Sequence, residues 1–363
     1  MESPIATSWD DLLQGVGTPR EWEDKRGKVK QRFLALLRME AAPEVPADLD
    51  VRVEKEWKAD AFRVKYVSYR VESDERAHAY LAIPGGAVPA GGFPAVVCLQ
   101  GTTTWGARRS LGILPEPDDP QKDKPWTGLD DARNLARRGF VTVSPEHFCC
   151  ASRMPAEGRF DTASFYRRHP RWTAAGKATY ENSIAVTVLA SQPEVNPDRI
   201  GATGFSLGGH GAIWLGAYDE RVRCVVPGGA GGSFRENVNV LDWSRTKWYI
   251  YFPQLREQIL AGRMPVCDWH EIRALIAPRP CLEILALNDG SFMMQEHIVT
   301  MHLKLGELYR ILGAERAHAF LVHGDYHSMP DLSRAATLNW MERWLKYDGN
   351  PYGGWDSRPT ALS

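Results

Sequence analysis

The organisation of this chain is clearest in residues 196–214, which read NPDRIGATGFSLGGHGAIW. Within this stretch, RIGATGF (199–205) is a short apolar run typical of a buried strand, and LGGHGAIWLGAY (207–218) follows it with the length of a helix. GFSLG at 204–208 joins them and fits the pattern G-x-S-x-G, in which a serine occupies a sharp strand-to-helix turn. The stretch therefore predicts a nucleophile, Ser206. The alternative is a glycine-rich packing turn with an incidental serine.

Segments on both sides of this turn alternate between strand-like and helix-like patterns. Residues 51–84 contain three β-rich runs separated by turns, which predicts antiparallel strands. Further strands are predicted at PAVVCLQG (94–101), FVTVSPEH (140–147), VRCVVPGG (222–229), PCLEILAL (280–287) and HAFLVHG (318–324), with helices at 130–139, 172–193, 270–277, 297–312 and 332–345. Such alternation implies parallel crossovers, hence an α/β fold with a doubly wound, mostly parallel sheet and antiparallel N-terminal strands.

Three stretches lie outside this alternation. Residues 1–45 are predicted to be a helical N-terminal leader, which Pro43 and Pro46 end. Residues 149–171 and 231–266 are predicted insertions at loop positions, and the second is expected to act as a lid. We therefore expect a single domain over residues 1–363. The lid carries Arg235, Glu236, Asp242, Arg245 and Lys247.

Composition excludes several classes of protein. The 363 residues include 44 Lys and Arg against 45 Asp and Glu, so the net charge of −1 argues against nucleic-acid binding. No apolar stretch is long enough to predict a transmembrane helix, so no membrane partner is expected. The N-terminus lacks the basic and apolar regions of a secretory signal, and six cysteines without a CxxC pattern favour free thiols. These features predict a cytoplasmic protein, although a signal peptide removed by processing would leave no trace.

A nucleophilic serine needs a base and an acid that orients it. Asp289 follows the predicted strand 280–287, and His327 follows the strand 318–324, so both belong at the carboxyl edge of the sheet. This order of Ser, acid and His is the one expected after a nucleophile elbow. His323 is the alternative base and Asp325 the alternative acid, and Asp289 could be only a turn residue before a glycine.

The oxyanion of the reaction needs two N–H donors. One is predicted at the amide of Leu207, and the other at Thr102 in the loop CLQGTTTWG that follows strand 94–101. Gln100 and Trp105 in the same loop are candidate substrate contacts, and packing within the loop is an equal alternative for Trp105.

From about Phe93 to Leu345 the chain resembles the α/β-hydrolase superfamily, and in particular the dienelactone-hydrolase-like and acetyl-xylan-esterase-like bacterial esterases. The similarity lies in NPDRIGATGFSLGGHGAIW, DWHEIRALIAPRP (268–280), ILALNDGSF (284–292) and HGDYHSMP (323–330). DWHEIRALIAPRP is also similar to glucuronoyl esterases, but those are expected to carry Arg where this chain has Leu207. The superfamily's oxyanion loop usually begins His-Gly, whereas this chain has Gln100-Gly101.

The resemblance implies a serine esterase that acts on a small-molecule ester, and no cofactor or metal is implied. The charged residues of the insertion 231–266 predict a short acyl group, and a carbohydrate-linked ester is a candidate substrate. The resemblance also places Asp268 and His270 near the mouth of the site, although a helix N-cap is the alternative for Asp268. Further candidate substrate contacts are His147, Trp243, Trp248 and Tyr251. A prolyl-oligopeptidase-like peptidase and a catalytically dead binding protein are the rival functions, and the sequence leaves the oligomeric state open.

Overall fold

The computed structural model describes residues 11–59, 61–103, 105–113, 129–234, 239–263, 265–290 and 296–347. Its strands are β1 (Arg52–Ala59), β2 (Phe62–Glu72), β3 (Glu75–Pro84), β4 (Phe93–Leu99), β5 (Val141–Pro145), β6 (Val195–Phe205), β7 (Val222–Gly228), β8 (Cys281–Ala286) and β9 (His318–His323). Its helices are α1 (Pro19–Leu37), α2 (Asp131–Arg137), α3 (Ala163–Arg168), α4 (Ala174–Ala190), α5 (Leu207–Tyr218), α6 (Leu255–Leu260), α7 (Trp269–Ala274), α8 (Glu296–Ile311) and α9 (Asp331–Leu345).

The strands form one sheet in the order β1-β2-β3-β5-β4-β6-β7-β8-β9. The pairs β1–β2, β2–β3 and β3–β5 are antiparallel, and every pair from β5–β4 to β8–β9 is parallel. The predicted fold class is thus confirmed, including the antiparallel N-terminal strands. The chain reverses direction across the sheet between β4 and β6, and the carboxyl ends of strands at such a switch point are where open α/β sheets place their sites.

Apolar side chains cover both faces of the sheet. On one face, α2 and α9 pack over residues such as Val96, Val226 and Ile284. On the other face, α4, α5, α7 and α8 bury the larger cluster, which contains Trp214 and Trp269. Burial on both faces explains why the central strands are continuous apolar runs rather than alternating ones.

The last helix buries the C-terminal part of its predicted apolar stripe but not its start. A stripe of Leu332, Ala335, Leu338, Met341 and Leu345 is what the sequence predicts, but Leu332 is 67% exposed. Ser333 and Thr337 are buried in its place, in one row with Met341 and Leu345. Because a helical turn takes about 3.6 residues, residues spaced by four move gradually around the helix. The row that ends at Leu345 therefore begins at Ser333, and the small side chains of Ser333 and Thr337 face the core at the start of the helix.

The N-terminal leader is part of the packed structure. Helix α1 begins after Thr18, whose hydroxyl accepts a hydrogen bond from the Glu21 amide, and Pro19 occupies its first turn. Trp22, Phe33 and the other apolar residues of one α1 face are fully buried in the larger core cluster. Residues 1–10 of the predicted leader lie outside the described residues.

The two predicted insertions fall between elements of the sheet. Residues 149–171 hold a short 3₁₀ turn and α3, and residues 231–266 hold the turn Val240–Ser244 and α6. The second segment buries Phe234 and Phe252 in the larger core cluster, so it contributes to the core as well as to a surface. Arg235 and Glu236 of the predicted lid lie outside the described residues. No helix within the described ranges combines the length and apolar character needed to cross a bilayer.

Candidate active site

Ser206 stands in a strained backbone conformation at the junction of β6 and α5. Its φ of 59° and ψ of −118° lie outside the regions that a non-glycine residue normally adopts. Two hydrogen bonds hold it there: the Ser206 amide donates to the Gly228 carbonyl at 2.9 Å, and the His210 amide donates to the Ser206 carbonyl at 3.0 Å. Backbone strain of this kind persists where the surrounding structure over-determines it, and it occurs often at functional sites.

The glycines of the motif are required by the close approach of neighbouring backbones. A Cβ atom on Gly204 would lie 2.5 Å from the Gly208 carbonyl oxygen and 2.8 Å from that of Leu99. A Cβ on Gly208 would overlap the same Leu99 oxygen. No side chain fits at either position, so the turn and the strand β4 pack at a distance that only glycine permits.

Asp289 and His327 come together at the edge of the sheet where β8 and β9 end. The Nδ1 atom of His327 lies 2.7 Å from Oδ2 of Asp289, whose side chain is 1% exposed, against 26% for the histidine. The strands pair in register up to Ala286 and His323, so the two loops leave the sheet side by side. A buried carboxylate on Nδ1 fixes the ring and leaves Nε2 to exchange protons.

The alternative base and acid are not placed in this way. Nδ1 of His323 accepts a hydrogen bond from the Asp325 amide at 3.2 Å, and neither residue lines the cavities at Ser206. The geometry thus favours His327 and Asp289 over His323 and Asp325.

The predicted oxyanion donors flank the serine. Leu207 is the first residue of α5, where backbone N–H groups have no partner within the helix. Thr102 lines the same cavity as Ser206 and His327. Gly101 brings the two segments close, since a Cβ there would lie 3.0 Å from the Phe205 carbonyl oxygen. The arrangement is compatible with the predicted donor roles of Leu207 and Thr102.

Two cavities open on the serine and the histidine. The larger one has a volume of about 400 Å³. Its wall combines aromatic and polar side chains: Thr102, Ser206, Asn239, Asp242, Trp243, Arg245, Trp248, Tyr251, Gly290 and His327. The second has a volume of about 270 Å³. Its wall is more apolar: Gly101, Thr102, Thr103, Arg109, Leu129, Phe205, Ser206, His327, Ser328 and Met329.

Of the predicted substrate contacts, Trp243, Trp248 and Tyr251 line the larger cavity. Gln100 does not reach it and instead lines a separate cavity of about 30 Å³ behind the loop. Trp105 is 7% exposed and packs within the loop beneath the Arg109 guanidinium, which favours the packing alternative for Trp105.

His147 and His270 are also withdrawn from the cavities. Nε2 of His147 lies 3.1 Å from the Tyr249 hydroxyl, and burial lowers the pKa of this histidine to about 3. His270 is 1% exposed within α7. The His270 ring is held in the interior and the His147 ring is part-buried, and neither residue lines the two cavities at Ser206.

Asp268 is the N-cap of α7 rather than a residue of the cavity mouth. Its Oδ1 accepts hydrogen bonds from the amides of Trp269 and Phe234, at 2.6 and 2.8 Å. Its own amide donates to the Glu271 carboxylate at 3.0 Å, which completes a capping box. Burial raises the pKa of Asp268 to about 6.

Among the polar residues of the cavity walls, sequence reasoning singled out neither Asn239 nor Arg109. Asn239 lies in the insertion, where no motif marks it. Arg109 lies shortly after the predicted oxyanion loop in the sequence, and this position is the one signal by which it could have been found. Asp242 and Arg245 form an ion pair of 3.2 Å on the wall, and the Arg245 guanidinium lies 5.3 Å from the centre of the Trp248 ring.

The nine-stranded sheet with a strained serine after β6 is the α/β-hydrolase fold, so the predicted resemblance is confirmed at this level. Residues 126–233 match the Dienelactone hydrolase family. The chain is 26% identical over 170 residues to YtaP of Bacillus subtilis (strain 168), a candidate hydrolase. That match covers 47% of this chain and 54% of YtaP, so it spans about half the length of the relative.

Solved structures show the same fold at low sequence identity. A glucuronoyl esterase from Solibacter usitatus has a TM-score of 0.69 at 15% identity, covering 90% of this chain and 93% of that one. The methylesterase BT1017 has a TM-score of 0.67 at 16% identity, covering 94% and 67%. A candidate acetyl xylan esterase from Bacteroides fragilis NCTC 9343 has a TM-score of 0.62 at 17% identity, covering 85% and 76%.

Proposed function

We propose that this protein is a serine hydrolase that cleaves carboxylic esters. One observation carries the proposal: Ser206 and His327 line the same cavity, and His327 is hydrogen-bonded to the buried Asp289 at 2.7 Å. The match to the Dienelactone hydrolase family and the α/β-hydrolase fold support the same chemistry.

In the proposed reaction, the Ser206 hydroxyl attacks the ester carbonyl while Nε2 of His327 takes its proton. Asp289 stabilises the imidazolium, and the amides of Leu207 and Thr102 bind the negative oxygen of the tetrahedral intermediate. Collapse of that intermediate expels the alcohol, which receives the proton from His327. Water then attacks the acyl-enzyme by the same route, releasing the acid and restoring the Ser206 hydroxyl.

We further propose a short acyl group and a carbohydrate-linked alcohol as the substrate. Trp243 and Trp248 offer flat apolar faces on which a sugar ring can stack. The side chains of Asn239, Asp242 and Arg245 on the same wall can form hydrogen bonds with sugar hydroxyls. The names of the similar structures, an acetyl xylan esterase and glucuronoyl esterases, support this class. Leu207, where glucuronoyl esterases are expected to carry Arg, argues against a glucuronoyl ester.

A fluorophosphonate probe tests the mechanism. It reacts only with an activated serine, so we expect one adduct on the wild-type chain, located at Ser206 by mass spectrometry, and none on Ser206→Ala. An unlabelled, folded wild-type protein would instead support a catalytically dead binding protein. A panel of sugar acetates, aryl esters, lactones and peptides then separates ester hydrolysis from peptidase activity.

A further inference from the structure

Beyond the residues that contact substrate, His210 occupies a distinctive place one helical turn after the nucleophile. Its amide donates to the Ser206 carbonyl at 3.0 Å, and its side chain is fully buried. Its Nε2 atom accepts a hydrogen bond from the Gly231 amide at 2.7 Å. One residue thus links the backbone of the nucleophile turn to the first residue of the insertion 231–266.

The His210 ring also packs against the aromatic residues of the larger cavity. The ring centres of His210 and Trp243 are 4.9 Å apart, and those of His210 and Tyr251 are 6.1 Å apart, both edge to face. Trp243 and Tyr251 line the cavity that contains Ser206. His210 itself does not line that cavity, so it supports the wall from behind.

Two further contacts hold the start of the insertion. The Arg273 guanidinium donates to the Gly231 carbonyl at 2.8 Å and is itself paired with Glu283 of β8 at 2.6 and 2.7 Å. The Asp268 carboxylate accepts from the Phe234 amide at 2.8 Å. Both backbone groups of Gly231 are therefore fixed, each by a buried side chain from a different element of the fold.

The hydrogen bond from Gly231 requires a neutral imidazole with its proton on Nδ1. Burial, together with the charges of Arg273 and His327, holds the pKa of His210 well below its ordinary value. The acceptor at Nε2 is thus retained while His327 cycles through its charged form.

From these contacts we infer that His210 is a positioning residue that sets the aromatic wall relative to Ser206 and thereby governs the binding of the bulky part of the substrate. The inference rests on the proposed function for its effect on catalysis. The contacts that carry it, the Gly231 hydrogen bond and the ring packing on Trp243 and Tyr251, are independent of the reaction.

Three substitutions separate this role from a general loss of packing. His210→Gln keeps an acceptor at the distance of Nε2, whereas His210→Phe keeps a ring and removes the acceptor. Since Phe is larger than His, His210→Leu serves as a second acceptor-free variant of nearly unchanged volume. Gly216→Ala is the matched control on the same helix, because its Cβ would crowd Val225 of β7 and Ile276, away from the insertion.

The first measurement is hydrogen exchange at the amides of residues 231–234. We expect exchange at Gly231 to be faster by roughly tenfold in the Phe and Leu variants, the effect of one lost hydrogen bond. The Gln variant should stay near wild type, and Gly216→Ala should lower the thermal midpoint without this local change. Equal exchange at Gly231 in wild type and both acceptor-free variants would overturn the inference, even if the wild type cleaved no ester.

The second measurement compares KM and kcat for an acetylated xylo-oligosaccharide and for p-nitrophenyl acetate. The acceptor-free variants should raise KM for the oligosaccharide by roughly five- to tenfold, with kcat for p-nitrophenyl acetate within about threefold of wild type. A KM for the oligosaccharide near the wild-type value in His210→Gln would support positioning through the hydrogen bond. A KM increase of the same size in Gly216→Ala would show general loosening and overturn the positioning role. A wild type that cleaves neither ester refutes the proposed function and leaves the exchange result to decide on His210.

Discussion

His327 and Asp289 are 38 positions apart in the chain, yet Nδ1 of the histidine lies 2.7 Å from Oδ2 of the aspartate. They meet because the parallel strands β8 and β9 are neighbours and end in register. A second contact joins the same loops: the Tyr326 amide donates to Oδ1 of Asn288 at 3.0 Å. The relative position of acid and base is thus set by the backbone of the sheet and of both loops.

The first prediction concerns the nucleophile and the base. Ser206→Ala and His327→Ala should each lower kcat by about a million-fold, because the two residues act as one unit in proton transfer and attack. Steady-state kinetics on folded protein, with thermal midpoints recorded, provide the measurement. Near-normal activity in His327→Ala would contradict its role as the base.

Asp289→Asn should lower kcat by roughly ten-thousand-fold, since it keeps the shape of the side chain and removes the charge that orients the imidazole. His323→Ala is the control. It lies at the end of β9 outside the cavities, so its effect on kcat should stay within about tenfold. If Asp289→Asn retains full activity, the acid lies elsewhere, and Asp325 is the next residue to replace.

Acyl chain length should matter in a defined direction. We expect kcat/KM to be highest for acetate to butyrate across p-nitrophenyl esters, because the cavity wall carries Asp242, Arg245 and other polar groups. A fully apolar pocket would gain about 0.8 kcal/mol from each added methylene, and this wall gains little. A maximum at long acyl chains would contradict the prediction and indicate an extended apolar pocket.

Trp248 tests the carbohydrate part of the proposal. Its ring is 40% exposed at the cavity wall, with its Nε1–H donating to the Arg159 carbonyl at 3.0 Å. Trp248→Ala should raise KM for a sugar acetate by roughly tenfold and leave p-nitrophenyl acetate nearly unaffected, since an aromatic face contributes about 0.5–1.5 kcal/mol beyond its area. Equal changes for both esters would count against a sugar subsite.

Removal of the whole insertion 231–266 is a poorer test of the sugar subsite than Trp248→Ala, because Phe234 and Phe252 of the insertion belong to the core.

The buried cap of α7 makes stability depend on pH. The pKa of Asp268 rises from 3.8 to about 6 on folding, so the folded chain holds a proton there that the unfolded chain has lost. Stability therefore falls as pH rises from about 4 to about 6, by roughly 3 kcal/mol at most, and is level above. Asp268→Asn keeps the Oδ1 acceptor and removes the ionisable carboxyl group. In denaturant unfolding, its free energy of unfolding should therefore exceed that of the wild type at pH 7.5 and differ little from it near pH 4.

Asp268→Ala is the comparison for that experiment. It removes both the cap and the ionisable group, so it should lose about 1 kcal/mol or more near pH 4 and less than that at pH 7.5. At each pH, the difference between the Asn and Ala variants measures the cap alone. If Asp268→Asn is destabilising by the same amount at pH 7.5 as at pH 4, the carboxylate is charged without cost in the folded protein, and the predicted pH dependence is wrong.

Strand and helix positions along the sheet follow from local pattern, and the sequence was sufficient for them. The helix predicted at 207–218 has those bounds in the structure, and the antiparallel β1–β3 unit was also predicted. The G-x-S-x-G pattern predicted the turn at Ser206, because β6 and α5 are adjacent in the chain. Their close approach at Gly204 and Gly208 therefore leaves a mark in the local sequence. The order of acid and histidine along the chain identified Asp289 and His327 as candidates for the same reason, since each directly follows a recognisable strand.

Tertiary structure alone decided which candidates reach the cavity. His147, His270 and Trp105 have the residue types of substrate contacts, but none of them lines the cavities at Ser206. Residue type does not say which way a side chain in a loop or short helix points. Asn239 and Arg245 come from the insertion, whose path depends on contacts with α5 and with α7 and its N-cap rather than on its own periodicity. The role inferred for His210 likewise depends on Gly231, 21 residues away, donating to its ring. Local pattern determines elements and their ends, whereas long-range packing determines which side chains share a space.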